Sequence, residues 1–281
     1  MNARPEATGH DARGMVERLR RAAWRQGKFL RQRLFAQPLA QHVFVAGMQR
    51  SGTNLLMDVL DASPYTQVFH ETDPRAFDCY EMRELDVIRQ LARQCPAPLF
   101  VIKALCELDR IKALMDTFVP AKTLWVVRDW RDSVNSAIKS FPNFVPQWQR
   151  LARGDASDWR GRGMSEATRE LLAAYYHADA SEAEGAAIMW FYRNVLYFEQ
   201  GLAADARVRV VFYEDMVQYP QRDVAAAYDF LGLQSGGATI ARRIHARSVK
   251  HRSRPDIAPA VALLCDELLA RFVALPAGAR L

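Results

Sequence analysis

Residues 42–60 constrain the fold more than any other stretch of this 281-residue chain. Residues 43–46 are a short apolar run, which is typical of a buried parallel strand. Residues 47–53 form a turn punctuated by glycine, and apolar side chains at helical spacing follow it. A strand, a glycine turn and a helix in this order present backbone N–H groups and a helix N-terminus to a phosphate. The stretch therefore predicts an α/β domain with an anion-binding loop.

The glycines of this loop have the spacing of a Walker A motif, but the other essential residues are missing. Gly47 and Gly52 stand at the expected separation, whereas Thr53 occupies the position of the lysine that reaches the β- and γ-phosphates. The cation is Arg50, inside the loop. The loop can hold an anion, but it lacks the residues that hold a metal–nucleoside triphosphate. The alternative at this point is an ordinary strand–helix turn in which Ser51 or Thr53 caps the helix.

The net charge restricts the kind of ligand, and the cysteine content indicates the cellular compartment. The formal net charge is +6, which fits a polyanionic small ligand and also weak attraction to nucleic acid or to an anionic membrane surface. The 4 cysteines are scattered without a CxxC pair, which argues against a zinc site and against a disulfide framework. We therefore expect a protein of a reducing compartment, the cytoplasm. No apolar run is long enough to predict a membrane-spanning helix.

Apolar runs and helical patterns alternate along the chain. Strands are predicted over residues 66–72, 99–103, 123–127 and 207–213. Helices are predicted over residues 80–95, 111–118, 132–140, 166–203, 221–231 and 260–273. Residues 142–165 are rich in turn-forming residues and are predicted to form a long lid-like loop. The alternation indicates a three-layer α/β sandwich with a mostly parallel central sheet.

The chain is predicted to consist of one domain and an N-terminal extension. Residues 42–281 form the α/β domain, and residues 1–41 precede it as a basic helical extension. Within the extension, residues 15–35 combine arginines with apolar side chains in the pattern of an amphipathic helix. Packing on the domain or on a partner subunit is the favoured role of this helix, and contact with an anionic membrane surface is the alternative. A homodimer is left open.

Five ionisable residues stand where predicted strands end. They are Arg50, His70, Glu71, Lys103 and Arg128. Because ligands of doubly wound sheets bind beyond the carboxyl ends of the strands, these side chains are expected to converge on one rim. Single basic residues at strand ends suit a small nucleotide, whereas a nucleic acid would require a broader basic surface with stacking aromatic residues.

Three ordered motifs resemble those of one enzyme family. The first is the Arg-Ser-Gly-Thr-Asn-Leu stretch that begins at Arg50, and the second is Arg128 in a Val-Arg-Asp context with Ser136 eight positions later. The third, of structural role, is the Tyr-Glu-Asp and Phe-Leu-Gly stretch within residues 211–232. Together they resemble the sulfotransferases that use 3′-phosphoadenosine 5′-phosphosulfate (PAPS), over roughly residues 42–275.

The resemblance implies an activity and a nucleotide site. The activity is transfer of a sulfuryl group from PAPS, without a metal, to a hydroxyl of a carbohydrate, a lipid, or a tyrosine or other phenol. Arg50 is expected on the 5′-phosphate and the bridging oxygen, with the N–H groups of residues 51–55 and the hydroxyls of Ser51 and Thr53. Arg128 is expected on the 3′-phosphate. The implied nucleotide-binding residues are Arg50, Ser51, Gly52, Thr53, Asn54, Leu55, Arg128, Ser136, Ser248 and Ser253.

The resemblance also implies the catalytic residues, which are Arg50, Glu71 and Lys103. Lys103 corresponds to a lysine that stabilises the leaving phosphate. The histidine that serves as base in cytosolic members is replaced here by Leu105, whereas Glu71 matches the glutamate of tyrosyl-protein and some carbohydrate sulfotransferases. Glu71 is therefore the predicted general base, and His70 is the alternative. Strand alternation predicts that these two side chains do not point to the same place.

Two other functions stand as alternatives. A phosphotransferase with a degenerate P-loop would require a lysine after Gly52 and a magnesium-binding aspartate, but the strand over residues 123–127 is followed by Arg128. A non-catalytic nucleotide-binding protein would keep the anion site without needing Glu71 or Lys103. The predicted partner is a small-molecule, glycan, lipid or peptide acceptor, and nucleic acid is not expected.

Overall fold

A parallel sheet forms the centre of the molecule in the computed structural model, which describes residues 23–24, 26–155, 159–233, 240–241, 244 and 255–281. The strands are β1 (Gln41–Ala46), β2 (Thr66–Phe69), β3 (Phe77–Asp78), β4 (Glu81–Met82), β5 (Leu99–Ala104), β6 (Ala121–Val127) and β7 (Val208–Phe212). The order in the central sheet is β2–β5–β1–β6–β7, with every neighbouring pair parallel. The loop after β1 therefore opens between β5 and β6, where the strand order changes direction.

Helices cover both faces of this sheet. They are α1 (residues 26–34), α2 (Thr53–Asp61), α3 (Leu85–Arg93), α4 (Ile111–Thr117), α5 (Trp130–Ile138), α6 (Phe144–Ala152), α7 (Glu166–Tyr175), α8 (Glu182–Glu199), α9 (Tyr213–Gln218), α10 (Pro220–Leu231) and α11 (Pro259–Val273). Because side chains alternate along a strand, Phe44 and Ala46 enter the core on one face, and Val43 and Val45 enter the core on the other. The predicted three-layer α/β sandwich with a parallel sheet is confirmed.

The lid-like loop predicted over residues 142–165 is wrong, because α6 occupies much of it. Phe144, Trp148 and Leu151 are buried at helical spacing, and the indole of Trp148 donates to the carbonyl oxygen of Leu172 at 2.8 Å. The carboxylate of Glu182 accepts from the N–H of Phe144 at 2.7 Å and so satisfies the start of the helix. Residues 156–158 lie outside the described residues.

The single helix predicted over residues 166–203 is also wrong, because α7 and α8 are separated by residues 176–181. The hydroxyl of Ser181 accepts from the N–H of Glu184, and the Glu184 carboxylate accepts from the N–H of Ser181. This reciprocal capping box starts α8 as a new helix.

A hairpin replaces the start of the helix predicted over residues 80–95. β3 and β4 pair antiparallel, and the two residues between them, Cys79 and Tyr80, have positive φ angles of 46° and 71°. Two residues with positive φ are the backbone pattern of a tight hairpin turn. The helix therefore begins only at Leu85, and the strand predicted over residues 66–72 ends at Phe69.

The described part of the N-terminal extension is helical and packs on the edge of the sheet. α1 contacts the β2 edge through Lys28 and Gln32, which bind residues 61–66. Residues 15–22 and 25 of the helix predicted over residues 15–35 lie outside the described residues. None of the helices described is long and apolar enough to cross a membrane.

Candidate active site

The loop after β1 has a backbone conformation that favours glycine at two positions. Gly47 and Gly52 have φ angles of 146° and 99°. A Cβ atom on Gly52 would strike the ring of Tyr213, and one on Gly47 would lie 2.6 Å from the carbonyl oxygen of Val126. Glycine therefore lets the loop pass close to its neighbours. The loop is an open backbone cradle of the kind that binds anions.

α2 begins at this cradle without a side-chain cap. In the described structure the N–H of Leu55 donates to the carbonyl oxygen of Gly52 at 3.0 Å, and the N–H groups of Gly52, Thr53 and Asn54 have no protein acceptor. Uncapped N–H groups at the positive end of a helix dipole favour a phosphate. The alternative of an ordinary turn capped by Ser51 or Thr53 is therefore wrong.

Ser51 closes the cradle instead of facing a ligand. Its N–H and its hydroxyl both donate to the carbonyl oxygen of Met48, at 3.2 and 2.6 Å. The side chain is buried. In the described structure Ser51 therefore holds the loop in shape, and the binding of its hydroxyl and N–H to the 5′-phosphate stays a prediction.

A cavity of 420 Å³ opens in front of the cradle. The predicted nucleotide-binding residues that line it are Arg50, Gly52, Thr53, Asn54, Leu55, Arg128 and Ser136. α5 and the residue after it contribute four lining residues from one side, because positions three and four apart share a helix face. These four residues are Asp132, Asn135, Ser136 and Lys139. Of these four, only Ser136 was predicted from the sequence, although helical spacing from Arg128 would have indicated the others.

Contacts on three sides hold Arg128 at the end of β6. Its Nη1 donates to the carbonyl oxygen of Arg50 at 3.2 Å, and its guanidinium carbon lies 4.7 Å from the centre of the Tyr213 ring. Its own carbonyl oxygen accepts from the indole of Trp190 at 3.0 Å. A guanidinium fixed in this way loses little freedom when it binds a phosphate. Tyr213, which contacts both Arg128 and Gly52, is therefore part of the site and was missed as such in the sequence.

One hydrogen bond joins Arg50 and Ser136, two residues expected at different ends of the nucleotide. Arg50 Nε donates to Ser136 Oγ at 2.9 Å. Arg50 also has a φ of 68°, which is uncommon for a residue with a Cβ atom and is often found at functional sites. The arginine side chain thus crosses the mouth of the cavity from the cradle to α5.

A buried lysine connects the cradle to the other side of the site. Lys103 Nζ donates to Asn54 Oδ1 at 2.5 Å and to Glu71 Oε1 at 2.6 Å. Burial lowers the pKa of the Lys103 ammonium, and the hydrogen bond to Glu71 opposes that effect. A buried charge is costly unless it is paired, so the ammonium and the carboxylate depend on each other. The structure thus brings together two of the predicted catalytic residues.

A second cavity, of 590 Å³, lies on the other side of Arg50. Its walls include large apolar side chains from distant parts of the chain, namely Leu105, Phe141, Phe144, Trp159 and Met189. Glu71 lines this cavity, and the β3–β4 hairpin contributes Tyr80. Among the described residues, Arg50 is the one that lines both cavities. We call the first the nucleotide cavity and the second the acceptor cavity.

His70 lies outside both cavities, although strand alternation is not the reason, because His70 and Glu71 follow the end of β2. It lines a separate cleft with Lys28 and Thr72, and burial lowers the pKa of its imidazole. Leu105, at the position of the family histidine, lines the acceptor cavity. The carbonyl oxygen of Leu105 accepts from Nη2 of the buried Arg193 at 2.7 Å. Of the two predicted bases, Glu71 is the one at the acceptor cavity.

The donors around the nucleotide cavity fit a ligand with several phosphates. Arg50, Arg128 and Lys139 supply positive charge against the carboxylate of Asp132. Two further predicted contacts, Ser248 and Ser253, lie outside the described residues. Within the described ranges, no group of three or more His, Cys, Asp or Glu could hold a metal ion.

Fold and site together define an α/β protein whose P-loop-like cradle faces a nucleotide-sized anion cavity beside a separate acceptor cavity. A model of the sulfotransferase domain matches residues 40–256 of this chain. The chain therefore belongs to the sulfotransferase family. The resemblance drawn from its motifs is confirmed, and the chain is an enzyme that transfers a sulfuryl group.

Solved sulfotransferase structures are similar to this chain. A sulfotransferase domain from the curacin biosynthetic pathway is 13% identical, with a TM-score of 0.55 over 85% of this chain and 100% of that chain. Mouse sulfotransferase SULT7A1, solved with PAP, is 17% identical, with a TM-score of 0.49 over 86% of this chain and 88% of that chain. Sulfotransferase STF9 from Mycobacterium avium is 14% identical, with a TM-score of 0.49 over 85% of this chain and 78% of that chain. A search of curated proteins found no match.

Proposed function

We propose that this sulfotransferase takes its sulfuryl group from PAPS and passes it to a hydroxyl group held in the acceptor cavity. The observation that carries the proposal is the position of Arg50, which lines both cavities. A group that passes between the cavities moves beside this guanidinium. The guanidinium therefore stabilises negative charge where it develops during transfer.

The nucleotide cavity offers partners for both phosphate ends of PAPS. The N–H groups of Gly52, Thr53 and Asn54 suit the 5′-phosphate, and Arg128 with Ser136 suits the 3′-phosphate. The cradle supports this fit because Gly52 lines the cavity with a backbone conformation, φ 99°, that favours glycine. When bound, PAPS supplies the sulfuryl group and a phosphate that can leave.

In this proposal Glu71 accepts the proton of the acceptor hydroxyl, and Lys103 stabilises the charge of the leaving phosphate. Glu71 takes the proton of the acceptor hydroxyl as the hydroxyl oxygen forms its bond to sulfur. Lys103 stabilises the phosphate oxygen that keeps the electron pair of the breaking sulfur–oxygen bond. The support is that Lys103 Nζ lies 2.5 Å from Asn54 of the cradle and 2.6 Å from Glu71 of the acceptor cavity.

The first test is isothermal titration of the full chain with 3′-phosphoadenosine 5′-phosphate (PAP), in the presence of a metal chelator. We expect micromolar binding that Arg128→Ala weakens about a hundredfold, because charged hydrogen bonds to a phosphate are worth roughly 3 kcal/mol. The matched control is Arg131→Ala. Arg131 lies three residues away, binds Asp266 at 2.6 Å and does not line the nucleotide cavity, so its loss leaves PAP binding unchanged.

The same titration separates the alternatives. Binding of magnesium–ATP in place of PAP would overturn the proposal in favour of a phosphotransferase. Binding of PAP without transfer from PAPS to any acceptor would favour a non-catalytic nucleotide-binding protein. In that case Lys103→Met would bind PAP like the wild type, and neither protein would transfer a sulfuryl group.

We propose that the acceptor carries an apolar or aromatic body beside its hydroxyl, as a lipid, a phenol or a tyrosine does, and as a glycoside with an apolar aglycone does. The support is the apolar wall of the acceptor cavity, which includes Phe141, Trp159 and Met189. A screen with radiolabelled PAPS would compare a simple phenol, a tyrosine peptide, a long-chain alcohol and a free sugar. Transfer to the free sugar alone would contradict this assignment.

We also propose that the enzyme works in the cytoplasm and does not bind nucleic acid. The support is that the described cysteines, Cys79, Cys95, Cys106 and Cys265, are free thiols, and that burial raises the pKa of Cys95 to about 11, which keeps it unreactive. Cell fractionation with an antibody against the chain tests the compartment. Recovery from an oxidising compartment, with the thiols blocked, would contradict it.

A further inference from the structure

Helix α1 packs against the domain through polar side chains. Lys28 Nζ donates to the carbonyl oxygen and to Oδ1 of Asp61, at 2.7 and 2.8 Å, and Gln32 Nε2 donates to the carbonyl oxygen of Thr66 at 2.8 Å. Both side chains are buried, at 7% and 6% exposure. These buried hydrogen bonds fix the rotation of α1 about its axis, since losing them would leave polar groups unpaired.

This rotation turns apolar side chains outward. Leu30 and Leu34 are 58% and 67% exposed, and they lie on the side of the helix opposite Lys28 and Gln32 because successive residues are about 100° apart. Further exposed apolar residues around them are Trp24, Phe29 and Phe35. In the described part of the chain, 5 of the 12 exposed large apolar side chains thus fall within residues 24–35. A concentration of this kind marks a contact surface. We call the outward side of the helix the α1 face, made of Phe29, Leu30 and Leu34.

The charge around the α1 face identifies what covers it. Arg31 and Arg33 lie between its apolar residues. Both arginines are exposed, and residues 26–35 contain no acidic residue. The same face of a second copy would bring like charge to this surface, whereas an anionic bilayer brings opposite charge and an apolar interior. Apolar residues between arginines on one helix are the pattern of a helix that lies in the plane of a membrane surface.

We propose that the α1 face docks on an anionic lipid bilayer, with Leu30 and Leu34 inserted at the headgroup boundary and the arginines against the headgroups. This inference goes beyond the proposed function and does not depend on it. α1 is hydrogen-bonded to Thr66 at the start of β2, and β2 leads to Glu71. Docking therefore holds the catalytic domain at the membrane surface through a rigid contact.

The test is co-sedimentation of the full chain with vesicles of phosphatidylcholine alone and with vesicles of equal parts phosphatidylcholine and phosphatidylglycerol. We expect binding to the anionic vesicles that high salt weakens. The double variant Leu30→Ser with Leu34→Ser weakens it on the order of tenfold to a hundredfold, because two leucines lose their burial in the bilayer. The matched control is Leu263→Ser with Val273→Ser on α11, where exposure is 59% and 56%. The control binds vesicles like the wild type.

A second variant keeps the test decisive if thermal unfolding shows that the serine variant is misfolded. Arg31→Gln with Arg33→Gln changes only exposed residues and weakens anionic binding on the order of tenfold. Equal sedimentation of the wild type and of both variants, or no sedimentation of the wild type, would overturn the proposal. A homodimer in analytical ultracentrifugation that the serine variant dissociates, without vesicle binding, would assign the α1 face to a second copy instead.

Discussion

The two cavities that meet at Arg50 are built in different ways. The nucleotide cavity draws nearly all of its lining from residues 50–55 and 128–139, with Tyr213 added from elsewhere. The acceptor cavity draws its lining from seven separate places in the chain, namely residues 48–50, 71, 79–80, 105–106, 137–147, 159–160 and 189. The first cavity depends on local backbone geometry, and the second depends on how distant elements pack.

This difference indicates which half of the enzyme can vary. At Gly52 the backbone angle and the Tyr213 ring leave room for glycine only. The wall of the acceptor cavity consists of side chains such as Phe141 and Trp159, which can be exchanged without changing the backbone. Changes at the cradle are therefore expected to abolish donor binding, whereas changes at the wall are expected to alter acceptor choice alone.

The largest effect is expected from Glu71→Gln. Loss of the general base lowers kcat about 10²- to 10⁴-fold, while PAP binding changes little because Glu71 does not line the nucleotide cavity. The measurement is single-turnover transfer from PAPS to the acceptor found in the screen. Asp73→Asn is the control, since Asp73 is paired with Arg75 outside the acceptor cavity. Turnover within a few-fold of wild type would remove Glu71 from the role of base.

The next effect in size is expected from Gly52→Ala. The added Cβ atom meets the Tyr213 ring at a positive φ angle, so the free energy of unfolding falls by roughly 2–5 kcal/mol and PAP binding is lost. Thermal unfolding and titration with PAP measure the two losses. Gly201→Ala is matched to it, because Gly201 has a φ of 68° and no atom near the added Cβ. If both variants bound PAP equally, backbone geometry would not explain the cradle.

The next prediction, Phe141→Ala, tests the acceptor cavity. Phe141 lines the acceptor cavity and is 44% exposed, so its removal costs the acceptor roughly 1–2 kcal/mol of contact and raises the acceptor KM about tenfold. PAP affinity stays unchanged. Steady-state kinetics beside PAP titration tests this, with Val119→Ala as a control at an exposed residue outside both cavities. A matching loss of PAP affinity would mean that the two cavities are not independent.

The smallest effect concerns pH and His70, which lies outside both cavities. Burial lowers the pKa of His70 below its ordinary 6.5, so the unfolded chain binds a proton more readily than the folded chain. The contribution to stability is complete above about pH 6.5 and is lost as pH falls through this value toward the lower folded pKa. His70→Asn should therefore reduce the acid-dependent loss of unfolding free energy. Denaturant unfolding at several pH values measures it, and an unchanged pH dependence would contradict it.

Motifs in the sequence predicted much of the nucleotide cavity because its residues are close together in the chain. Arg50, Arg128 and Ser136 were found in this way, and all three line it. A motif gives the residue type but not the direction of the side chain, so it did not show that the Ser51 hydroxyl bonds within the loop. Its bond to the Met48 carbonyl oxygen depends on how the loop turns back. Tyr213 was missed as a site residue because β6–β7 pairing, not sequence distance, brings it to the cradle.

The acceptor cavity could not be derived from the sequence for the same reason. Trp148 and Trp159 both lie in the stretch that was predicted to be one loop, yet Trp148 is fully buried in α6 whereas Trp159 lines the cavity. Only the packing of α6 against α8 decides between these outcomes. The α1 face was likewise hidden, because an amphipathic pattern does not say which side of the helix faces the protein.

The environment of Leu105 has a consequence for how such enzymes diverge. Arg193 holds the carbonyl oxygen of Leu105, and the leucine side chain already faces the acceptor cavity with Glu71. Leucine and histidine codons can differ by a single base. A site with the proposed carboxylate base and a site with an imidazole base at residue 105 can therefore differ by one mutation. The backbone that would hold the imidazole is already fixed by Arg193.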